Sequence, residues 1–430
     1  MHKIGFFSVI SLVMGSQLGV GIFMLPGRFA QYGALGLFGW VIAGIGAMLL
    51  AFVFAALCGK LPRSGGPYVY VRQAFGDAAA FFTGWAYWLI SSITNVALVI
   101  VGIEYLVAGC SPTMTLFLQM GVLSLGTCFN CFGIRTSGKT ELFFLVLKII
   151  PMLAIPIAGV IFFNPDHFVP FNPTGQTWPC VLQKVSLLAV WSFIGVEAAT
   201  TPAEVVVNAS KTIPRAIFVG TILVSIIYIT NSVGIMSMVP SEILQNSIAP
   251  YAEASKILFP QGQNTIYGLI LPFAIGITCL GSLNAWTLSS SYVAYSLAAD
   301  SLFPKIFLKK NRFGAPYVSL LFGYLIPGVC LVFCMNQNFK DGLMIIIDMA
   351  VVTFLIIYSL CTLAFLKIML LDKEGNYKNI RLLLGLCALV FCCWGVFSSG
   401  LVSIVTCLGL FAFGAPVYAY RVYSMKSSSL

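Results

Sequence analysis

Twelve times along this 430-residue chain an apolar run reaches a length that crosses the roughly 30 Å hydrocarbon core of a bilayer as a helix. No other feature restricts the fold so sharply. In lipid each backbone N–H and C=O must be satisfied within the protein, and among spanning structures only helices and closed barrels manage this. Runs of this length therefore predict an all-α polytopic membrane protein. They fall near 4–25, 34–57, 79–109, 114–132, 142–163, 181–200, 216–238, 265–296, 317–335, 342–366, 380–399 and 401–420. No stretch between them is long enough to fold as a soluble domain. Only 8% of the residues are charged, against about 25% in soluble proteins.

The net charge of +10 is explained by topology rather than by nucleic acid. With the N-terminus inside, cytoplasmic segments receive Lys3, Lys60, Arg63, Arg72, Arg135, Lys139, Lys211, Arg215, Lys305, Lys309, Lys310 and Arg312. Lys367, Lys373, Lys378, Arg381, Arg421 and Lys426 join them, whereas the outer side receives only Arg28, Lys184, Lys256 and Lys340. That asymmetry predicts a multi-pass protein with both termini in the cytoplasm. Lys148 lies within a span. The first span carries no cleavage-site pattern and is read as retained.

The first span contains Gly15-Ser16-Gln17-Leu18-Gly19-Val20-Gly21. Glycine costs a helix about 1 kcal/mol relative to alanine, so three within seven residues predict a break. Unwound backbone at membrane depth has to be buried in protein or line a wet cavity, where helix ends and bare amides form a ligand site. Close helix packing through small residues is the alternative. The sixth span repeats the pattern in Trp191-Ser192-Phe193-Ile194-Gly195-Val196-Glu197, with an ionisable group in an apolar run. Burial in lipid disfavours a charged carboxylate, which makes Glu197 a candidate proton-linked group; a protonated structural carboxyl is the other reading.

Interrupted helices at positions one and six predict a five-plus-five inverted repeat. Residues 4–163 form the first half and 181–366 the second, with two extra helices over 380–420. The whole is one transmembrane domain over 1–430.

Other polar residues sit within spans. Tyr87, Ser91 and Asn95 recur every four residues and share one face of the third helix, with Glu104 near its outer end. Such a stripe faces a cavity or hydrogen-bonds other helices. Trp286 lies mid-span in Gly281-Ser282-Leu283-Asn284-Ala285-Trp286, away from the interfacial belt, as a site residue or a core filler. Span ten carries Asp348. Pro62, Gly65, Gly66 and Pro67 predict a turn followed by an amphipathic segment at the inner interface. Trp40, Trp85, Trp88 and Trp394 read as packing or belt residues. Thirteen cysteines lie mostly in or beside apolar runs and read as buried small residues. The single Cys128–Cys131 pair has no second pair, so no metal and no cofactor is predicted.

Gly19-Val20-Gly21-Ile22-Phe23-Met24-Leu25-Pro26, Ser64-Gly65-Gly66-Pro67-Tyr68, the Trp191–Glu197 block and Gly281–Trp286 together resemble the amino acid–polyamine–organocation transporters. The likeness runs from about His2 to the twelfth span. It is strongest to the bacterial basic amino acid/polyamine antiporters, especially those that exchange arginine for agmatine. This resemblance implies that backbone amides at Gly19, Val20 and Gly21 hold the substrate carboxylate. It implies that Trp191, beside Ile194, stacks on the substrate as a barrier, and that Trp286 receives a guanidinium on its face. Ile90, Ser91 and Asn95 match positions that contact the cationic head. Tyr87 matches a gating tyrosine, and Glu197 a residue tied to pH response. A homodimer in the bacterial inner membrane is likewise implied. Such antiporters usually carry Gly-Ser-Gly in the first break. Val20 replaces the serine here, which leaves the carboxylate to backbone donors or marks a different substrate.

The leading expectation is thus an exchanger of a cationic, arginine-like amino acid for an amine such as agmatine by alternating access. One alternative is a proton-coupled uptake permease using Glu197 or Asp348, and another a transporter-like sensor or accessory protein. No ring-forming filter motif suggests a channel, and no nucleophile–base pair or nucleotide loop suggests an enzyme.

Overall fold

The computed structural model describes residues 4–107, 110–247, 249–260, 266–336, 339–371 and 378–427. His2, Lys3 and Lys373, used above, lie outside the described residues. The described chain is helical, its only pairing of extended backbone being a bridge between Ile4 and Val206.

Among the described residues, twelve helices are long and apolar enough to cross a membrane. Spans 1 to 6 are Phe6–Ala30, Gly33–Lys60, Asp77–Leu106, Pro112–Cys131, Phe143–Ile161 and Trp178–Thr200. Spans 7 to 12 are Ala209–Met238, Leu271–Ala299, Tyr317–Met335, Gly342–Leu371, Lys378–Ser398 and Leu401–Val422. Each matches an expected run, so the fold is the polytopic all-α class predicted. Two ends differ. Span 1 continues past Pro26 to Ala30, and span 7 begins at Ala209 with Pro214 inside it.

Both glycine stretches interrupt their helices. Span 1 is a helix Phe6–Gln17, a break at Leu18–Gly19 and a second helix Val20–Ala30. Span 6 is a helix Trp178–Phe193 that unwinds from Ile194 into short 3-10 turns. The breaks abut: a Cβ on Gly21 would fall 1.8 Å from Ser192 Oγ, and one on Gly195 would fall 2.8 Å from Ser16 Cβ. Spans 1 and 3 are each 89% buried and span 8 is 82% buried, which puts them at the centre. Spans 4, 11 and 12, at 17%, 22% and 17%, are the least buried and lie at the periphery.

The segment after the Gly65-Gly66 turn departs from expectation. It forms a helix, Pro67–Phe75, whose Tyr68, Tyr70 and Val71 are buried rather than laid on an interface. Both glycines adopt left-handed backbone, at φ +124° and +71°. Gly65 N–H donates to Thr201 O at 2.9 Å, which docks the turn on the unwound end of span 6. Burial pushes the Tyr68 phenol well above its usual range, so it remains the donor to Asp300 Oδ2, 3.1 Å away.

Candidate functional site

A helix that ends in mid-membrane leaves about four carbonyls without intrahelical partners. In the first break nearly all of them are met by the protein. Met14 O accepts from Leu18 N–H at 2.7 Å. Gly15 O accepts from Lys148 Nζ at 3.2 Å, and Ser282 Oγ lies 3.2 Å from Gly15 O and 3.0 Å from Leu18 O. Ser16 O accepts from Trp286 Nε1 at 3.1 Å, and the Tyr228 hydroxyl donates to Gln17 O. Spans 5, 7 and 8 thus each send a side chain into the break.

The other half of the break is left different. The helix Val20–Ala30 starts without any side-chain cap. Its first amides carry the positive end of the helix dipole, which suits an anion such as a carboxylate. They border a cavity lined by Ser16, Gly19, Val20, Gly21, Thr94, Leu98, Trp191, Ser192, Ile194, Trp286 and Phe354. Its volume is about 40 Å³, room for a few waters and not for an amino acid. This conformation is therefore contracted. The Trp286 indole is held at its edge by Ser16 O and packs 5.6 Å from the Phe354 ring at 64°.

Of the residues singled out in the sequence, the structure brings Gly19, Val20, Gly21, Trp191, Ile194 and Trp286 together around this cavity. Ile90, Ser91 and Asn95 lie buried on span 3 but do not line it. The cavity face of span 3 is Thr94 and Leu98 instead, rotated by about one residue from the Tyr87–Ser91–Asn95 stripe. Ser91 Oγ and Asn95 Oδ1 are buried without a hydrogen-bond partner among the described residues. Asn95 Nδ2 reaches Thr287 Oγ1 at 3.5 Å.

Glu197 is fully buried and is not in the cavity wall. It accepts from the Tyr87 hydroxyl at 3.0 Å and from the Tyr358 hydroxyl. Tyr87 also lies 3.3 Å from Ser289 Oγ, which donates to Thr201 Oγ1 at 3.4 Å. Seven residues separate Thr94 from Tyr87, roughly 10 Å along the helix toward its Asp77 end. This layer closes the cavity from the face that carries both chain ends. On that face Arg72 pairs with Asp77 at 2.8 Å and Asp300 at 3.0 Å, and Arg421 pairs with Asp77 at 2.9 Å. Asp348 is exposed in a separate pocket with Lys184, and Glu104 is also exposed.

Sequence reading placed Lys148 within a span and Ser282 in the Gly281–Trp286 block without giving either a role, and it passed over Tyr228 and Tyr358. Lys148 carried a usable signal, because a cation in mid-span is costly unless it faces protein partners. Thr94 and Leu98 carried none, since Thr and Leu are ordinary helix residues in a membrane.

Paired broken helices around a central cavity define a membrane transporter of the discontinuous-helix class. Similarity to known proteins agrees. The amino acid permease family matches residues 4–420, and the chain belongs to that family. It is 30% identical over 382 residues to the putrescine transporter PotE of Escherichia coli K12, covering 87% of this chain and 85% of that protein. The Haemophilus influenzae putrescine transporter PotE is 29% identical over 384 residues, covering 88% and 87%. The cadaverine/lysine antiporter of Escherichia coli K12 is 30% identical over 346 residues, covering 79% and 77%.

Proposed function

We propose that this protein is a secondary exchanger that swaps a basic amino acid for an amine across a bacterial inner membrane by alternating access. The observation that carries the reading is the asymmetry of the first break. Its carbonyl end is saturated by Lys148, Ser282, Trp286 and Tyr228, and its amide end opens on the cavity. An α-carboxylate suits those amides, and the faces of Trp191 and Trp286 suit a cationic side chain, a contact worth about 2 kcal/mol when desolvated. An amine without the carboxylate keeps the second contact and forgoes the first. Both substrates of an exchange thus share one site.

The relatives named for putrescine and for cadaverine/lysine favour a diamine as the counter-substrate, and arginine with agmatine belongs to the same chemical class. The basic residues of the face with both termini support its cytoplasmic placement. The halves 4–163 and 181–366 supply one broken helix each, as an inverted repeat requires. In this reading Tyr87 and Glu197 gate the site rather than touch the substrate.

The test is counterflow into proteoliposomes. Vesicles preloaded with agmatine, cadaverine or putrescine are offered labelled arginine, lysine or ornithine, with Trp286→Ala in parallel. Exchange predicts uptake that requires an internal amine and collapses in the variant. Uptake that ignores the internal amine and follows an inward proton gradient would overturn exchange in favour of a symporter.

A further inference from the structure

A groove remote from the central cavity runs down the lipid-facing side of span 2. Its upper part is a cavity of about 500 Å³ between spans 2, 7 and 11, with Gly44, Met48 and Ile226 in its wall. Among the described residues of that wall Ser225 alone carries a hydroxyl, and it donates to Thr221 O of its own helix at 2.8 Å. Phe52 and Phe218 continue into a second cavity of about 350 Å³, which ends at Lys60 and Arg381. Arg381 and Leu384 share a face of span 11 that reaches Phe391 two turns on, whose ring lies against Gly46 of span 2. Span 11 is thereby held beside the groove as one of its walls.

The shape and charge of this groove select an amphiphile. The shaft is apolar, and the mouth holds two cations at the end of the spans where the chain termini lie. From Lys60 to Gly44 is 16 residues, or roughly 24 Å of helix. One leaflet of hydrocarbon is about 15 Å deep. An alkyl chain suspended from an anion at the mouth therefore stays within the groove for the whole depth of its leaflet. Basic pockets between spans attract anionic headgroups in the same way at cytoplasmic surfaces.

We propose that this groove is a binding site for one anionic glycerophospholipid, its phosphate at Lys60 and Arg381 and one acyl chain along Phe52, Met48 and Gly44. The lipid fills the seam where the peripheral span 11 meets spans 2 and 7, which pack on broken spans 6 and 1 respectively. The binding is independent of which substrate the transporter carries.

Native mass spectrometry of the purified full chain tests it, with added phosphatidylglycerol, phosphatidylethanolamine or inorganic phosphate. Wild type is expected to keep one phosphatidylglycerol through a detergent wash that removes phosphatidylethanolamine. Lys60→Ala with Arg381→Ala should lower that retention about tenfold. Ile226→Trp, a change at an exposed position, fills the shaft and should lower it with both cations intact. Equal retention of phosphatidylethanolamine would overturn the proposal, as would unchanged retention in both variants. Displacement of the lipid by millimolar inorganic phosphate would reduce the site to an anion site and overturn it too.

Discussion

The two breaks solve one problem in different ways. In span 1 the loose carbonyls are held by side chains from three other spans, and the amide end faces a cavity. In span 6 the break is met largely from within its own turns: Thr200 N–H and Oγ1 both donate to Glu197 O, and Ala198 N–H donates to Gly195 O, with Tyr228 at Ser192 O and Gly65 N–H at Thr201 O added from outside. Its carboxylate is taken up by two tyrosines from spans 3 and 10. Backbone unwound at membrane depth can thus be left available to a ligand or closed by internal partners, and this chain holds one of each. In the proposed function the first break binds the substrate and the second holds the layer beneath it.

The contrast breaks most completely where the two meet. Gly21→Leu forces a side chain into Ser192, whose Cβ would lie 2.8 Å from the new Cβ. Pushing the breaks apart by an ångström misplaces the amide end, and uptake should fall by about a hundredfold or more. Gly21→Ala with Ser192→Gly removes the clash and should restore part of the uptake that Gly21→Ala alone loses. Failure of that rescue would mean Gly21 matters for something other than the fit between the breaks.

Removing the support of the first break should cost stability as well as rate. Lys148→Met keeps the length of a buried side chain but gives up the amine that meets Gly15 O and Ser282 Oγ. Loss of a charged donor to a buried carbonyl costs about 2 kcal/mol. A lower Tm in detergent is expected, together with weaker uptake. An unchanged Tm would show that Ser282 alone suffices.

In the second break the expected effects are of similar size but separable. Tyr358→Phe removes a donor to Glu197 and the acceptor for Gly195 N–H, 3.3 Å away, at a cost of about 1–3 kcal/mol. Glu197→Gln preserves shape, its Oε1 accepting from one tyrosine while its Nε2 donates to the other hydroxyl, so its Tm should stay close to wild type. Its uptake should nevertheless lose pH dependence if this carboxyl is the proton-linked group. A Glu197→Gln profile identical to wild type would leave Glu197 a purely structural member of the layer.

The twelve spans and both breaks were legible because lipid imposes a one-dimensional rule: length, apolarity and glycine placement are all it reads. The helix Pro67–Phe75 was not legible as a buried element. The segment reads as an amphipathic stretch at the inner interface, and only the fold supplies Asp300 as the partner that lets Tyr68 be buried. The site was half legible for a similar reason. Trp191, Trp286 and the glycines are unusual at mid-membrane and announce themselves. Thr94 and Leu98 face the cavity only because of how span 3 is rotated, and rotation depends on neighbours such as Leu297, Cys279 and Phe303 rather than on span 3 alone.

The smallest expected effect bears on what the first break binds. Val20 is the first residue of the second half-helix, lines the cavity and is 2% exposed. Its branched side chain occupies the place where a hydroxyl would add one donor to the uncapped amides proposed to hold a carboxylate. A serine there adds a hydrogen bond worth about 1 kcal/mol, so Val20→Ser should lower KM for a basic amino acid about fivefold. The same change offers nothing to an amine that lacks the carboxylate, whose KM should stay nearly constant. Measuring both substrates in one variant therefore separates the amide end from the tryptophans. If the two KM values fall together, the carboxylate does not sit at the first break, and the asymmetry between the breaks is structural only.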